Sequence, residues 1–95
     1  MMLGIVRGTV VASRRSDEIV GARYLLVEFC RTSGEGRRSF VVALDDIGAG
    51  NGEMVLISQG SSSRQTEISK NRAVDAIVVG IVDTVYESGS VTYRK

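Results

Sequence analysis

Short runs of alternating apolar and polar residues, separated by glycine and serine, cover most of this 95-residue chain. Alternation with a period of two indicates strands with one buried face. Val and Ile are abundant in these runs and proline is absent, which favours strands over helices. The pattern predicts an all-β chain with strands over Leu3–Ser13, Ala22–Phe29, Phe40–Leu44, Glu53–Ser58, Ala76–Tyr86 and Val91–Arg94.

The fifth predicted strand is the most apolar segment of the chain. Its alternating positions divide into two apolar faces, one with Ile77, Val79, Ile81 and Val85 and the other with Val78, Val82 and Tyr86. A strand that is apolar on both faces is buried on both faces. Because one side of a strand in a single small barrel faces water, we expect the second face of this strand to meet another subunit.

The remaining segments complete a small-barrel prediction. Arg31–Ser39 is predicted to be a loop, and Ser62–Arg72 a short polar helix capped by Ser62 or Ser63. Several short antiparallel strands, many glycines and one short helix are typical of a closed or partly open barrel, and an OB-like topology suits this length. No repeat or change in composition divides the chain, so residues 1–95 are predicted to form a single domain.

A glycine-rich loop follows the third predicted strand. Gly48, Gly50 and Gly52 occupy every second position, and glycine lets a backbone turn sharply or approach another backbone closely. Such a loop serves tight packing, anion binding or an opening. Phosphate-binding loops lie between a strand and a helix, whereas this loop is followed by the acidic Glu53 and a strand, which argues against a nucleotide.

Composition argues against several kinds of function. The 12 basic and 11 acidic residues nearly balance, which does not favour a nucleic-acid binder. Histidine, the commonest general base and transition-metal ligand, is absent. Cys30 is the single cysteine and is expected to be a small buried hydrophobe. No apolar run reaches membrane-spanning length.

Candidate catalytic groups have simpler structural interpretations. A nucleophile among Ser61–Ser63 would need Lys70 as its base, and capping of a helix start is favoured instead. The aspartates at 45, 46, 75 and 83 could form a carboxylate pair or a Mg²⁺ site, but we favour a role as hydrogen-bond acceptors in turns. Phe29 and Phe40 are expected in the core, where they could not stack on nucleic-acid bases, and this weakens the case for a nucleic-acid-binding surface. We therefore predict no catalytic residue, metal or cofactor.

Several motifs in a fixed order carry a family resemblance. They are Gly4-x-Val6-x-Gly8-x-Val10, Gly21-x-x-Tyr24-Leu25-Leu26-Val27, Asp45-x-Ile47-Gly48-Ala49-Gly50-x-Gly52-Glu53 with Val55-Leu56, Gly60-Ser61-Ser62-x-Arg64, and Val74-Asp75-Ala76 with Val79-Gly80-Ile81-Val82-Asp83. Over nearly the whole chain this set resembles the pentameric vertex proteins of bacterial microcompartment shells, the EutN/CcmL family. Ala73 and Ser63 depart from the proline and alanine usual there.

The resemblance implies an OB-like barrel subunit that assembles into a cyclic homopentamer. In that family the pentamers are not enzymes; they cap the vertices of a shell in the bacterial cytoplasm, beside hexameric shell proteins. No cofactor, nucleic acid or membrane is implied. The alternative from the barrel itself is a single-stranded nucleic-acid-binding module, and a third possibility is a small enzyme or phosphate-ligand protein using Gly60–Arg64.

The resemblance also implies a narrow opening on the fivefold axis. Its expected lining is Gly48, Ala49, Gly50, Asn51 and Gly52. Residues expected to support the loop or the subunit interface are Glu53, Ser61, Arg64, Asp75, Ile77, Val79, Ile81 and Asp83. Among these, Glu53 and Arg64 are expected to form a charge-assisted bond that fixes the loop.

Overall fold

The computed structural model describes residues 1–11, 23–59 and 76–95, and over these ranges it confirms the all-β prediction. The strands are β1 (Met2–Val10), β2 (Arg23–Cys30), β3 (Gly36–Asp45), β4 (Met54–Gln59), β5 (Ala76–Val82), β6 (Thr84–Glu87) and β7 (Ser90–Arg94). The predicted helix Ser62–Arg72 lies outside the described residues. Within the described ranges, no helix is long and apolar enough to span a membrane.

Five strands close into a barrel in the order β1-β2-β3-β5-β4, which confirms the small-barrel prediction. Neighbouring strands are antiparallel except β3 and β5, which run parallel where Leu44 pairs with Ile77. β6 and β7 form a separate two-stranded hairpin. Closure removes the free sheet edges of the barrel, whereas the outer edges of the hairpin pair with no other strand within the described residues.

The inward-facing positions of the strands, together with one residue of the loop between β3 and β4, form the main core. This cluster consists of Val6, Leu25, Val27, Ala43, Ala49, Val55, Ile57, Ala76 and Val78. A second cluster, of Ile5, Cys30 and Met54, packs against Val85 and Tyr93 of the hairpin. The hairpin is therefore joined to the barrel by apolar contacts, which an isolated two-stranded sheet needs for stability.

β5 differs from the predicted fifth strand in length and in the division of its faces. It ends at Val82, and the chain continues after Asp83 as β6, which pairs with β7. Opposite β5, Leu56 pairs with Gly80 and Ile57 pairs with Val78, so Val79 is the extra residue of a β-bulge. The bulge places Ile81 against the same core cluster as Val78, and the predicted grouping of Ile81 with Ile77 is wrong.

β3 begins at Gly36, so the predicted loop Arg31–Ser39 is wrong over its last residues. Phe40 is exposed, and its predicted place in the core is also wrong. The reason is the pairing between β2 and β3, in which Val27 and Val41 are partners on the inner face and Glu28 and Phe40 are the next pair. Since adjacent residues in a strand point to opposite sides, Phe40 faces outward.

Candidate functional site

The glycine-rich loop joins β3 to β4 and lies at the surface. Gly48 and Gly52 have φ angles of 86° and 84°, in the region that only glycine adopts readily. A Cβ at either position would meet nothing within 4 Å. These two glycines are therefore required by backbone conformation and not by lack of space.

Asp45 anchors the first half of the loop. Its carboxylate is fully buried at the end of β3. Oδ1 accepts a hydrogen bond from the amide of Ile47 at 3.1 Å, and Oδ2 accepts one from the amide of Ala49 at 3.0 Å. A buried carboxylate is tolerated only with such donors around it, so the loop and the charge stabilise each other.

Arg23 ties the same part of the loop to β2. Its Nη2 donates to Asp45 Oδ2 at 3.0 Å and to the carbonyl oxygen of Ala49 at 2.7 Å. The backbone donors to Asp45 follow an i+2 and i+4 pattern that sequence can indicate, but Arg23 is 22 residues away. Sequence reasoning missed Arg23 because only the pairing of β2 with β3 brings it to Asp45.

Glu53 anchors the second half of the loop. Its Oε1 accepts a hydrogen bond from the amide of Gly50 at 2.6 Å, and its Oε2 lies 2.5 Å from Lys95 Nζ. The Lys95 ammonium, and then the Gly50 amide, lower the pKa of Glu53, while the Glu53 carboxylate raises the pKa of Lys95. Arg64, the partner expected for Glu53, lies outside the described residues.

Backbone bonds attach the end of the loop to β1. The amide of Gly52 donates to the carbonyl oxygen of Val6 at 2.8 Å, and the amide of Val6 donates to the carbonyl oxygen of Glu53 at 3.0 Å. Within the loop, the amide of Glu53 donates to the carbonyl oxygen of Gly50 at 3.1 Å. The loop is thus held at both ends, with its glycine-rich tip directed to the surface.

The five residues expected to line an opening do not share one environment. Gly48, Gly50, Asn51 and Gly52 are exposed. Ala49 is 1% exposed and belongs to the main core cluster, so it contributes nothing to the exposed surface of the loop. This burial restricts the exposed part of the candidate lining to three glycines and Asn51.

The expected supporting residues are likewise separated. Glu53 and Asp83 both approach Lys95, whose amide donates to the carbonyl oxygen of Asp83 at 2.8 Å. Ile77 is 2% exposed and Ile81 is half-buried against the core, whereas Val79 is exposed. Ser61, Arg64 and Asp75 lie outside the described residues.

Two further ionisable side chains, Cys30 and Glu28, have surroundings that suit structural roles. Among these residues, no group of three or more His, Cys, Asp or Glu side chains could hold a metal ion. Burial raises the pKa of the Cys30 thiol, which keeps it protonated and unreactive. The Arg38 amide, and then the Arg7 side chain, lower the pKa of Glu28, so this carboxylate remains a charged acceptor.

Comparison with known proteins finds relatives over the full chain. The family described as ethanolamine utilisation protein EutN/carboxysome matches residues 1–83. The carboxysome shell vertex protein CcmL of Gloeobacter violaceus is 43% identical over 95 residues, covering 100% of this chain and 95% of the relative. The bacterial microcompartment shell vertex protein EutN of Escherichia coli K12 is 40% identical over 95 residues, covering 100% of both.

Solved structures agree with these similarities. The structure of Gloeobacter violaceus CcmL has a TM-score of 0.92 at 43% identity, covering 100% of this chain and 98% of that one. The GrpN pentameric microcompartment shell protein from Rhodospirillum rubrum has a TM-score of 0.81 at 42% identity, covering 92% of this chain and 99% of that one. Sequence and fold therefore point to the same group of proteins.

Proposed function

Because this chain belongs to the EutN/CcmL family of microcompartment shell vertex proteins, we propose that it forms a cyclic homopentamer that caps a vertex of a bacterial microcompartment shell. The observation that carries the proposal is its similarity, over 92% of its length, to a pentameric shell protein. The role is structural and not enzymatic, and its place is the shell in the bacterial cytoplasm. Single-stranded nucleic-acid binding, the alternative from the barrel alone, is not supported by these relatives.

A pentameric cap explains why this small barrel is useful. A flat sheet of hexameric shell proteins cannot close, and pentamers supply the curvature at the vertices. A heterologous contact, in which two different surfaces of the same chain meet, closes into a ring when the rotation between subunits is one-fifth of a turn. The partners of the pentamer are then hexameric shell proteins at its rim.

The glycine-rich loop is the proposed border of an opening on the fivefold axis. Three features support this assignment: Gly48, Gly50, Asn51 and Gly52 are exposed, two of the glycines have positive φ, and both ends of the loop are anchored. Glycines allow five such loops to crowd near an axis where larger side chains would clash. Asn51 is the one residue of the exposed group whose side chain could project into the opening.

A single domain over residues 1–95 is part of the proposal. It is supported by the second core cluster, in which Ile5 and Met54 of the barrel pack with Val85 and Tyr93 of the hairpin. It is also supported by relatives that this chain matches from end to end.

The absolute mass in solution tests the proposed function. Light scattering on the eluted protein should give five times the 10.2 kDa chain mass, about 51 kDa. A monomer or dimer at micromolar concentration would contradict the proposal. Co-expression with a hexameric shell protein then tests capping, since closed polyhedral particles should form only when this chain is present.

A further inference from the structure

The tip of the glycine-rich loop carries the one Asn-Gly pair of the chain. Asn51 and Gly52 are both exposed, whereas Asn71, the only other asparagine, is followed by Arg72. In an Asn-Gly pair the backbone nitrogen of the glycine can attack the side-chain amide carbon of the asparagine, because glycine has no Cβ to block the approach. The pair is therefore a candidate site for spontaneous deamidation.

The reaction proceeds through a cyclic imide and needs only water. The nitrogen of Gly52 forms a bond to Cγ of Asn51 while the bond from Cγ to the side-chain nitrogen breaks. The Gly52 amide gives up its proton, and ammonia leaves. Water then opens the imide at either of its carbonyl groups, which produces aspartate or isoaspartate. A neutral amide is thus replaced by a carboxylate, and in isoaspartate the backbone runs through the former side chain.

The folded turn holds the pair away from the reacting geometry. The amide of Glu53 donates to the carbonyl oxygen of Gly50 at 3.1 Å, which closes a turn around the pair. Gly52 has a φ of 84°, whereas Asn51 does not have a positive φ. These are the features of a type II turn, in which the second residue has a ψ of about 120°. This ψ directs the Gly52 nitrogen away from the Asn51 side chain, so the backbone must rotate before the imide can form.

The attacking nitrogen is also occupied in the folded loop. The amide of Gly52 donates to the carbonyl oxygen of Val6 at 2.8 Å, and imide formation requires this amide to lose its proton. Breaking the bond detaches the end of the loop from β1. The side chain of Glu53 holds the same turn, since its Oε1 accepts a hydrogen bond from the amide of Gly50 at 2.6 Å. Asn51 can therefore react only when these contacts open.

We propose that Asn51 is a deamidation site and that opening of the loop sets its rate. The modification adds a carboxylate at the exposed tip. The carboxylates that anchor the loop, Asp45 and Glu53, already pair with Arg23 and Lys95, so these cations are not free to neutralise the new charge. The consequence for the opening rests on the proposed function: in a pentamer, five new carboxylates border the fivefold axis and repel anions.

Peptide mapping of the aged full-length protein tests the proposal. The wild type is incubated at mildly alkaline pH, folded in buffer or unfolded in urea, and the peptides that contain Asn51 and Asn71 are followed by mass spectrometry. Isoaspartate methyltransferase labels the rearranged product. In the folded protein Asn51 should react while Asn71 remains an amide. In urea Asn51 should react about 10-fold faster or more, because two hydrogen bonds and the turn are lost and one such bond is worth up to about 10-fold.

Matched variants separate loop opening from the chemistry of the pair. Glu53→Gln removes the charge that holds the Gly50 amide and should raise the rate at Asn51 in the folded protein by about 10-fold. Glu35→Gln changes an exposed pair with Arg31 and should leave the rate unchanged. Asn51→Gln keeps an amide at the tip but lengthens the side chain, so the mass of this peptide should not change. Circular dichroism confirms the β-fold of each variant.

The wild-type comparison decides the proposal even where a variant does not fold. An Asn51 that stays intact in the folded protein while the unfolded chain deamidates would overturn it. Equal rates in the folded protein and in urea would overturn it as well, since loop opening would then not set the rate. Neither result depends on the number of subunits. A native mass below that of a pentamer would instead overturn the proposed function and leave the modification site standing.

Discussion

At the scale of single residues, the glycine-rich loop depends on a buried carboxylate. Asp45 accepts hydrogen bonds from two loop amides and from Arg23. The turn pattern around Asp45 is visible in the sequence, whereas the arginine is brought in from another strand. Both contacts are needed, because a fully buried charge with fewer partners would destabilise the fold.

Asp45→Asn should destabilise the protein by about 2–3 kcal/mol. The amide group replaces one accepting oxygen with a donor that must face another N–H group. Urea unfolding at fixed protein concentration measures the change. Asp46→Asn is the control, since Asp46 is exposed and should shift stability by less than about 0.5 kcal/mol. Equal effects of the two variants would contradict the anchoring role of Asp45.

Gly4→Ala should destabilise the barrel by about 1–3 kcal/mol through overpacking. A Cβ at Gly4 would overlap Val27 Cγ1 and lie 3.1 Å from the carbonyl oxygen of Glu28. Gly80→Ala is the matched strand control, because its Cβ would sit 3.6 Å from Leu56 Cδ1, an ordinary contact. Thermal unfolding compares the two. A greater loss of stability in Gly80→Ala than in Gly4→Ala would show that the close approach of β1 and β2 is not what requires glycine at position 4.

At the scale of elements, the C-terminal hairpin and the glycine-rich loop are linked by Lys95. Its Nζ pairs with Glu53, and its amide bonds to the carbonyl oxygen of Asp83 where β5 gives way to β6. The loop is therefore fixed from the barrel side by Asp45 and from the hairpin side by Lys95. Sequence reasoning did not find this second link, because Glu53 and Lys95 meet only when the hairpin folds back on the barrel.

Acid should weaken this link, and Glu53→Gln should remove the effect. Because the pKa of Glu53 is lowered in the folded state, the ionised carboxylate stabilises the folded protein at pH values above the ordinary pKa of glutamate. This stabilisation is lost as the pH falls through the pKa that Glu53 has in the folded protein. The raised pKa of Lys95 adds stability that is lost only at high pH, as pH rises through its folded value. Melting temperature measured from about pH 7 to about pH 3 should therefore fall less in Glu53→Gln than in the wild type.

Glu35→Gln is the control for the pH experiment. Glu35 pairs with Arg31, but both side chains are largely exposed, and such pairs contribute little. Its pH profile should run parallel to that of the wild type. A Glu53→Gln profile that also ran parallel would show that the Lys95 link does not contribute to stability.

At the scale of the whole molecule, assembly and stability are coupled. A ligand or partner that binds only the folded state raises the apparent stability, and in a homo-oligomer that partner is the chain itself. The contacts between subunits of the proposed pentamer are the interactions through which this coupling is expected to act.

The melting temperature should rise by a few °C for each tenfold increase in protein concentration. Scanning calorimetry at two or three concentrations measures the dependence. Below the concentration at which the pentamer dissociates, the melting temperature should not change with concentration, because unfolding of a monomer releases no partner. A wild-type melting temperature that did not change with concentration would contradict coupling between folding and pentamer formation.

The sequence alone determined the local features of the protein. Period-two alternation predicts the described strands to within a few residues, except at the start of β3, which it assigns to a loop, and where β5 gives way to β6; the ordered glycine motifs indicate the family. Ser88-Gly89, a serine–glycine pair typical of turns, forms the two-residue loop between β6 and β7, where both residues have positive φ. These features depend on neighbouring residues, so they can be seen without a fold.

Only the tertiary structure decided which face of each strand is buried and which distant residues meet. The bulge at Val79 and the outward side of Phe40 follow from register with β4 and β2, and register is fixed when the barrel closes. The partners of Asp45 and Glu53 likewise come from other strands. Alternation defines two faces but does not say which one is inside, because that choice belongs to the packing of the whole barrel.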